Sequence, residues 1–383
     1  MCSTCPRVEV MMLAVVTPAP AAVPSDVLDD LRDRVRRHRA VPTASTLGPD
    51  HGVDPAQLAE LLAYWADGYD WRVHEDRVRA LPWEVVDTSR GPLRLVHQRS
   101  ADPTATTVVL LHGWPDSVLR FERLLPLLGE HHVVVPALPG FPFAAPVPAG
   151  GLASAQMAEV VADALAGLGV DRYVLSAGDV GCDVAEALAA AHPEAVSALH
   201  LTDVSQYHVL DALPDDLSAT ETAYVAHGRR WQATEGGYMH EQSTKPRTLA
   251  VGLGDSPAGL AAWLLEKYTS WTDNGGDVTT VFSRDELLTW ITAYWVTGTI
   301  GTSFTPYAQS SVPAERPVAP AVFTVGPRDL VNAPREFAER VFAVHTWHDL
   351  PSGGHFAAWE QPAAYAAGVA EAVALARAGG GRG

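Results

Sequence analysis

Between Thr106 and Ala191 the chain repeats one unit three times: a short apolar run, a small-residue turn, then a stretch with helical periodicity. The apolar runs are TTVVLLHG (106–113), HHVVVPALPG (131–140) and RYVLSAGD (172–179). The stretches that follow them are VLRFERLLPLLG, SAQMAEVVADALAGLG and CDVAEALAAA. Apolar runs this short, closed by glycine or proline, suit strands buried on both faces. Strand–helix alternation builds a mostly parallel sheet with helices packed on it. Two later runs, APAVFTVGPRD (319–329) and FAVHTWHDL (342–350), extend the sheet, with NAPREFAERV as a helix between them. The stretch AAYAAGVAEAVALARAGG closes the chain as one more helix. The pattern therefore predicts an α/β fold.

Two regions break the alternation. Residues 23–100 hold an amphipathic helix, DVLDDLRDRVRRHR, with Ser25 or Asp26 as its expected cap. A second helix, PAQLAELLAYWADG, follows, and then two strands, WEVVDT and LRLVHQRS, joined by a turn at SRGP. Residues 204–310 are rich in aromatics and helical stretches and separate two sets of core strands, as a helical lid does. The expected organisation is a disordered tail over 1–22, an N-terminal region over 23–100, a core over 101–203, the lid over 204–310 and the rest of the core over 311–383.

Charge narrows the partners. With 27 basic against 45 acidic residues the formal charge is −18, which disfavours nucleic acid and anionic membrane surfaces. Three cysteines make no disulfide framework, and Cys2 with Cys5 is a lone CxxC without a second pair. VEVMMLAVVTPAPAAVP is a poor secretory signal, interrupted by Glu9, so a cytoplasmic setting is expected.

The chemistry gathers at strand ends. AGDVG sets Asp179 between small residues at a strand-to-helix turn. Such an elbow lifts a nucleophile clear of the sheet, and the helix N-terminus behind it favours an anion. With aspartate there, the side chain reads as a carboxylate nucleophile. Taken alone, AGDVG also fits an aspartate that merely caps the helix. LLHGWPDS follows the first core strand, and the Trp114 N–H is placed to form half of an oxyanion hole. PSGGHFAAWEQP follows the last strand and offers His355 as a base, and Asp329, ending FTVGPRD, can orient it. The chain order Asp179, Asp329, His355 is nucleophile, acid, histidine.

These motifs resemble epoxide hydrolases of the α/β-hydrolase superfamily, in the microsomal and juvenile-hormone type branch. YWADGYDWRVHEDRV (64–78) is similar to that branch's N-terminal region, and HGWPDS to its HGWPGS. GGYMHEQSTKPRTLAVGLGDSPAGLAAWLLEKYTSW (236–271), YWVTGTIGTSFTPYAQS (294–310) and GGHFAAWEQP are similar to its later signatures. The resemblance implies an α/β-hydrolase fold and an enzyme that converts an epoxide and water to a vicinal diol through an aspartyl ester. It implies Asp179 as nucleophile, His355 as base, Asp329 as its acid, and Tyr238 and Tyr307 as the phenols that open the ring. It also implies oxyanion donors at the Trp114 and Val180 backbone and a cis Trp114–Pro115 bond. Pro115, Phe141 and Phe143 are expected to line the pocket. No cofactor or metal enters this chemistry. The expected partner is a small, largely hydrophobic epoxide, with self-association left open. The branch's membrane-anchor helix has no counterpart here, so a soluble protein is expected.

The chain departs from the branch in three motifs. Val180 replaces the tryptophan of GGDWG, Asp116 replaces a glycine, and Glu241 stands where isoleucine is usual. The Ala-, Gly- and Asp-rich usage resembles that of high-GC actinobacteria, where epoxide hydrolases of this branch include ones in enediyne-type antibiotic pathways. The rival readings are a haloalkane dehalogenase, which has no need of two phenols, and an inactive binding protein of the same fold. A serine esterase fails because Ser176 lies too early for the elbow.

Overall fold

The computed structural model describes residues 17–44, 46–48, 51–210, 213–309, 312–313 and 315–380. Cys2, Cys5 and most of the expected tail lie outside them. The eight strands are β1 (Trp83–Thr88), β2 (Gly91–Gln98), β3 (Thr107–Leu111), β4 (His132–Pro136), β5 (Tyr173–Ala177), β6 (Val196–Leu201), β7 (Pro320–Val325) and β8 (Ala343–Asp349). They form one sheet in the order β1-β2-β4-β3-β5-β6-β7-β8. β1 and β2 pair antiparallel, as do β2 and β4, and every pairing from β4 to β8 is parallel. Every residue of β3 and β5 is buried, which explains their largely apolar runs. Each Val or Leu so enclosed contributes about 1.5–3 kcal/mol.

From β3 the chain moves outward to β4, and from β5 it moves the other way to β6, so the order reverses between β3 and β5. Ligands of open parallel sheets bind outside the strand C-termini at such a reversal. The loops after β3, β5, β6 and β7, and the histidine loop after β8, all leave the strand C-terminal ends.

Several expectations change. The stretch 118–129 forms two short 3₁₀ turns, Val118–Phe121 and Leu125–Leu128, in place of one helix. Pro126 withholds the N–H that a continuous helix would need. β6 went unread in the sequence because Ser197 and His200 interrupt its apolar pattern. The first helix, Ser25–Arg36, has Pro24 at its N-cap with no side-chain cap, while the Ser25 hydroxyl accepts from Arg72 at 3.3 Å. A further helix, Trp71–Arg79, fills the gap before β1. Residues 17–22, expected as part of a disordered tail, are tied down: the Arg94 guanidinium donates to the carbonyls of Thr17 and Pro18, and Arg79 donates to that of Pro20.

Between β6 and β7 lies a helical insertion, which includes helices Ala219–Thr234, Gly237–Thr244, Pro246–Asp255, Pro257–Ser270, Arg284–Thr297 and Thr305–Ala308. Phenols from two of them bind the loop after β3: Tyr268 donates to the Pro115 carbonyl at 2.7 Å and Tyr294 to that of Asp116 at 3.0 Å. Among the described residues no single helix is long and apolar enough to cross a membrane. One pair, Pro246–Asp255 with Pro257–Ser270, passes by length and composition only together, and it bends by 113°.

Candidate active site

Asp179 ends the turn after β5 with φ 56° and ψ −135°. A non-glycine residue held there carries about 1–3 kcal/mol of strain. The strain is sustained by close packing. A Cβ at Gly181 would collide with the Leu111 carbonyl, and one at Gly113 would collide with the Asp179 carboxylate itself. Asp179 occupies the N-cap position of helix Val180–Ala191, yet its side chain makes no cap hydrogen bond. It points away, and Oδ1 accepts the Trp114 N–H at 2.7 Å. The capping alternative therefore does not describe this carboxylate.

His355 faces both acids. Its Nδ1–H donates to Asp329 Oδ1 at 2.7 Å, and Nε2 lies 3.2 Å from Asp179 Oδ2. The second contact is an ion pair without hydrogen-bond alignment. Burial alone would lower the imidazole's pKa, but the Asp329 charge and the contacts with both carboxylates outweigh it and push it up to about 10. Burial raises the Asp329 carboxyl, and the facing imidazolium more than reverses this, so Asp329 titrates below its ordinary range. Asp203, Asp329 and His355 each bring a ligand-type atom within 4.8 Å of the others, but both ring nitrogens of His355 already face carboxylates.

The phenols come from the insertion. Tyr238 sits in helix Gly237–Thr244 and Tyr307 in helix Thr305–Ala308, and both are buried. Their ring centroids are 6.0 Å apart at 79°, and Trp114 stacks on Tyr238 at 5.3 Å. Burial and then the Asp179 charge hold both phenols well above their usual pKa, so they stay protonated. Asp179, Val180, Tyr238, Tyr307, Asp329 and His355 line one cavity of about 60 Å³. A second, of about 210 Å³, shares Gln206 and Val331 with it and is bounded by Val209, Leu213 and Tyr224.

Some expected site residues lie elsewhere. Phe141 packs edge-on to His112, and Phe143 packs near Trp83 while its carbonyl accepts from Arg94. Neither lines the cavity, and nor does Pro115, whose carbonyl is held by Tyr268. The Trp114–Pro115 bond is cis. Val180 lines the cavity, but among the described residues its N–H makes no hydrogen bond to the Asp179 carboxylate. Glu241 is half-buried and does not line the cavity, and His240 is exposed.

Sequence reasoning missed two acids and their partner. Asp203, just beyond β6, accepts the Asp179 N–H at 2.9 Å. Burial and the Asp329 charge push Asp203 up to about 6. Asp116 is enclosed with Arg120, which donates to it at 2.6 Å and to the His355 carbonyl at 2.6 Å. The unusual aspartate in HGWPDS thus anchors the arginine that holds the histidine loop. Asp203 follows β6, and the missed strand hid its position. Ser176 lies fully buried within β5, bonded to His200 and Tyr365, and is no nucleophile.

Residues 16–121 match the family described as epoxide hydrolase N terminus, and residues 106–251 match the alpha/beta hydrolase fold family. A Stigmatella aurantiaca protein named "Putative epoxide hydrolase" is 34% identical over 379 residues, covering 95% of this chain and 86% of that protein. Epoxide hydrolase 1 of Sus scrofa is 28% identical over 390 residues, covering 91% and 86%. Among solved structures, Aspergillus niger epoxide hydrolase superposes with a TM-score of 0.84 at 28% identity, covering 95% of this chain and 97% of its own. The juvenile hormone epoxide hydrolase of Bombyx mori gives 0.80 at 26%, covering 94% and 93%.

Proposed function

The chain belongs to the epoxide hydrolase family of the α/β-hydrolase superfamily, and on that premise we propose that it hydrolyses an epoxide through a covalent ester on Asp179. The observation that carries the reading is the meeting of the Asp179 carboxylate, the His355 imidazole with its Asp329 partner, and two buried phenols on a single cavity. Asp179 Oδ2 attacks a ring carbon, and the carbon–oxygen bond opposite breaks. Tyr238 and Tyr307 hydrogen-bond to the oxygen as charge grows on it. The alkoxide takes a proton through the phenols, and the proton is made good from the His355 imidazolium. The product of this half is a hydroxyalkyl ester beside a neutral imidazole.

Alkylation also removes the Asp179 charge that helped to raise the His355 pKa. The imidazole becomes a base when a base is needed. It takes a proton from water, hydroxide adds to the ester carbonyl, and the Trp114 N–H supports the oxyanion. Collapse releases the diol and restores ionised Asp179 beside protonated His355, so protons balance over the cycle. The insertion acts as the lid that carries the phenols.

The neighbouring cavity sets Val209, Leu213 and Val331 beside Gln206, Arg229 and Gln232, so a largely hydrophobic substrate body would meet polar groups there as well. A dehalogenase has no use for paired phenols, and an inactive scaffold has none for a strained aspartate. The physiological setting we infer is natural-product assembly, supported by composition alone; deletion of the gene in its producer should accumulate an epoxide.

A single turnover in heavy-oxygen water tests the mechanism. The first diol should carry no label, and the label should enter the Asp179 side chain. Label in that first diol would rule out the ester.

A further inference from the structure

Helix Pro257–Ser270 brings a lysine to the back of the candidate site. Lys267 is 5% exposed, in a helix that also buries Leu264, Leu265 and Tyr268. Its ammonium is 4.8 Å from the Tyr238 ring centroid and 5.7 Å from that of Trp271. It also pairs with Glu266, whose side chain is 22% exposed. Trp114 stacks on Tyr238 with an interplanar angle of 7°, and the Lys267 ammonium approaches the same ring.

A lysine stem ordinarily runs its charge out to water, and burying an ammonium is costly. Here the charge stays inside, against aromatic faces. A cation over a ring face is attracted by the ring's negative quadrupole, more strongly once water is excluded. It also stabilises negative charge that grows on the phenol oxygen. Burial, the Asp179 charge and Glu266 all act the other way and hold the Tyr238 hydroxyl well above its ordinary pKa.

We propose that Lys267 is a positioning residue for ring opening, fixing the Tyr238 ring from behind and strengthening its hydroxyl as the donor to the epoxide oxygen. This rests on the reading of Tyr238 as a ring-opening donor. The effect belongs to alkylation alone, because ester hydrolysis develops its charge beside Trp114.

Single-turnover kinetics of the full chain with a styrene-type oxide test this, following adduct formation and adduct decay separately. Lys267→Met should slow adduct formation about 10- to 30-fold and leave decay unchanged. Lys267→Arg should restore the rate to within a few-fold. In a Tyr238→Phe background Lys267→Met should have no further effect. Equal slowing of both steps, an undiminished effect in that background, or a wild-type rate in Lys267→Met would overturn the proposal. If the Met variant does not fold, Lys267→Gln makes the same comparison. Failure of both to fold while Lys267→Arg folds would also overturn it, as a purely structural charge. The underlying reading has its own controls: wild-type adduct formation and its slowing in Tyr238→Phe. If both controls hold and Lys267→Met is silent, only the lysine inference falls.

Discussion

Each residue around Asp179 is assigned a separate moment in the proposed cycle, and substitutions should separate them. Phenylalanine at Tyr238 or Tyr307 removes one donor from a growing alkoxide, a loss of roughly 2–4 kcal/mol if it behaves as an oxyanion donor does. Adduct formation should then slow by about 30- to 1,000-fold while adduct decay changes far less. An unchanged rate in the double variant would show that other groups open the ring. His355→Gln should alkylate but not hydrolyse, and intact-mass measurement should find enzyme plus one substrate. The same histidine predicts a pH signature. Its folded pKa is raised from 6.5 to about 10, so its stabilising contribution is full below 6.5 and is lost as pH rises through about 10. The melting temperature of the wild type should exceed that of His355→Gln by most near about pH 6, with the gap closing towards about pH 10.

At the scale of elements, the site depends on loops that hold one another. The turn after β3 receives phenols from two helices of the insertion, and Arg120 joins it to the histidine loop. Asp116 and Arg120 are both fully enclosed, and burial of Asp116 is more than offset by the facing guanidinium. Removing one partner leaves the other charge stranded. Arg120→Met should therefore cost about 3–5 kcal/mol of unfolding free energy in urea titration, with replacement of both partners by apolar residues costing far less. A loss below about 1 kcal/mol for the single variant would mean that Asp116 finds another partner or a proton.

Across the whole molecule, the N-terminal helices pack against the insertion. Tyr64 donates to Asp285 at 2.7 Å, the Tyr69 hydroxyl meets Thr289 at 3.1 Å, and Arg34 reaches Asp255 at 2.9 Å. Leu61, Leu62, Trp65 and Trp71 are buried with them. The helices that carry or support the phenols thus lean on residues 25–79. Truncation before β1 should raise hydrogen exchange over 246–297 well above that in β3 and β5, whose residues are enclosed by the sheet and its helices. Uniform exchange across both regions would instead mean that core and insertion unfold together.

The fold class, most of the strands, and the placing of Asp179, Asp329 and His355 at strand ends were legible in the chain itself. Apolar runs closed by glycine, and small residues flanking Asp179, are local necessities that a sequence must display. The two tyrosines were legible only as resemblance, and only in space do they meet Asp179, Asp329 and His355 on one cavity. Other features were decided by tertiary contact. β6 was hidden because His200 is buried in it, satisfied by Ser176 and Thr324 from other strands. Asp116 stood out only as a departure from HGWPGS, and Asp203 not at all, until an enclosed guanidinium and an elbow amide were brought to them. Phe141 and Phe143 carried a pocket-like composition but turned towards His112 and Trp83. A sequence states which groups are present and their local geometry; whether a buried charge finds a partner depends on what the rest of the chain folds against it.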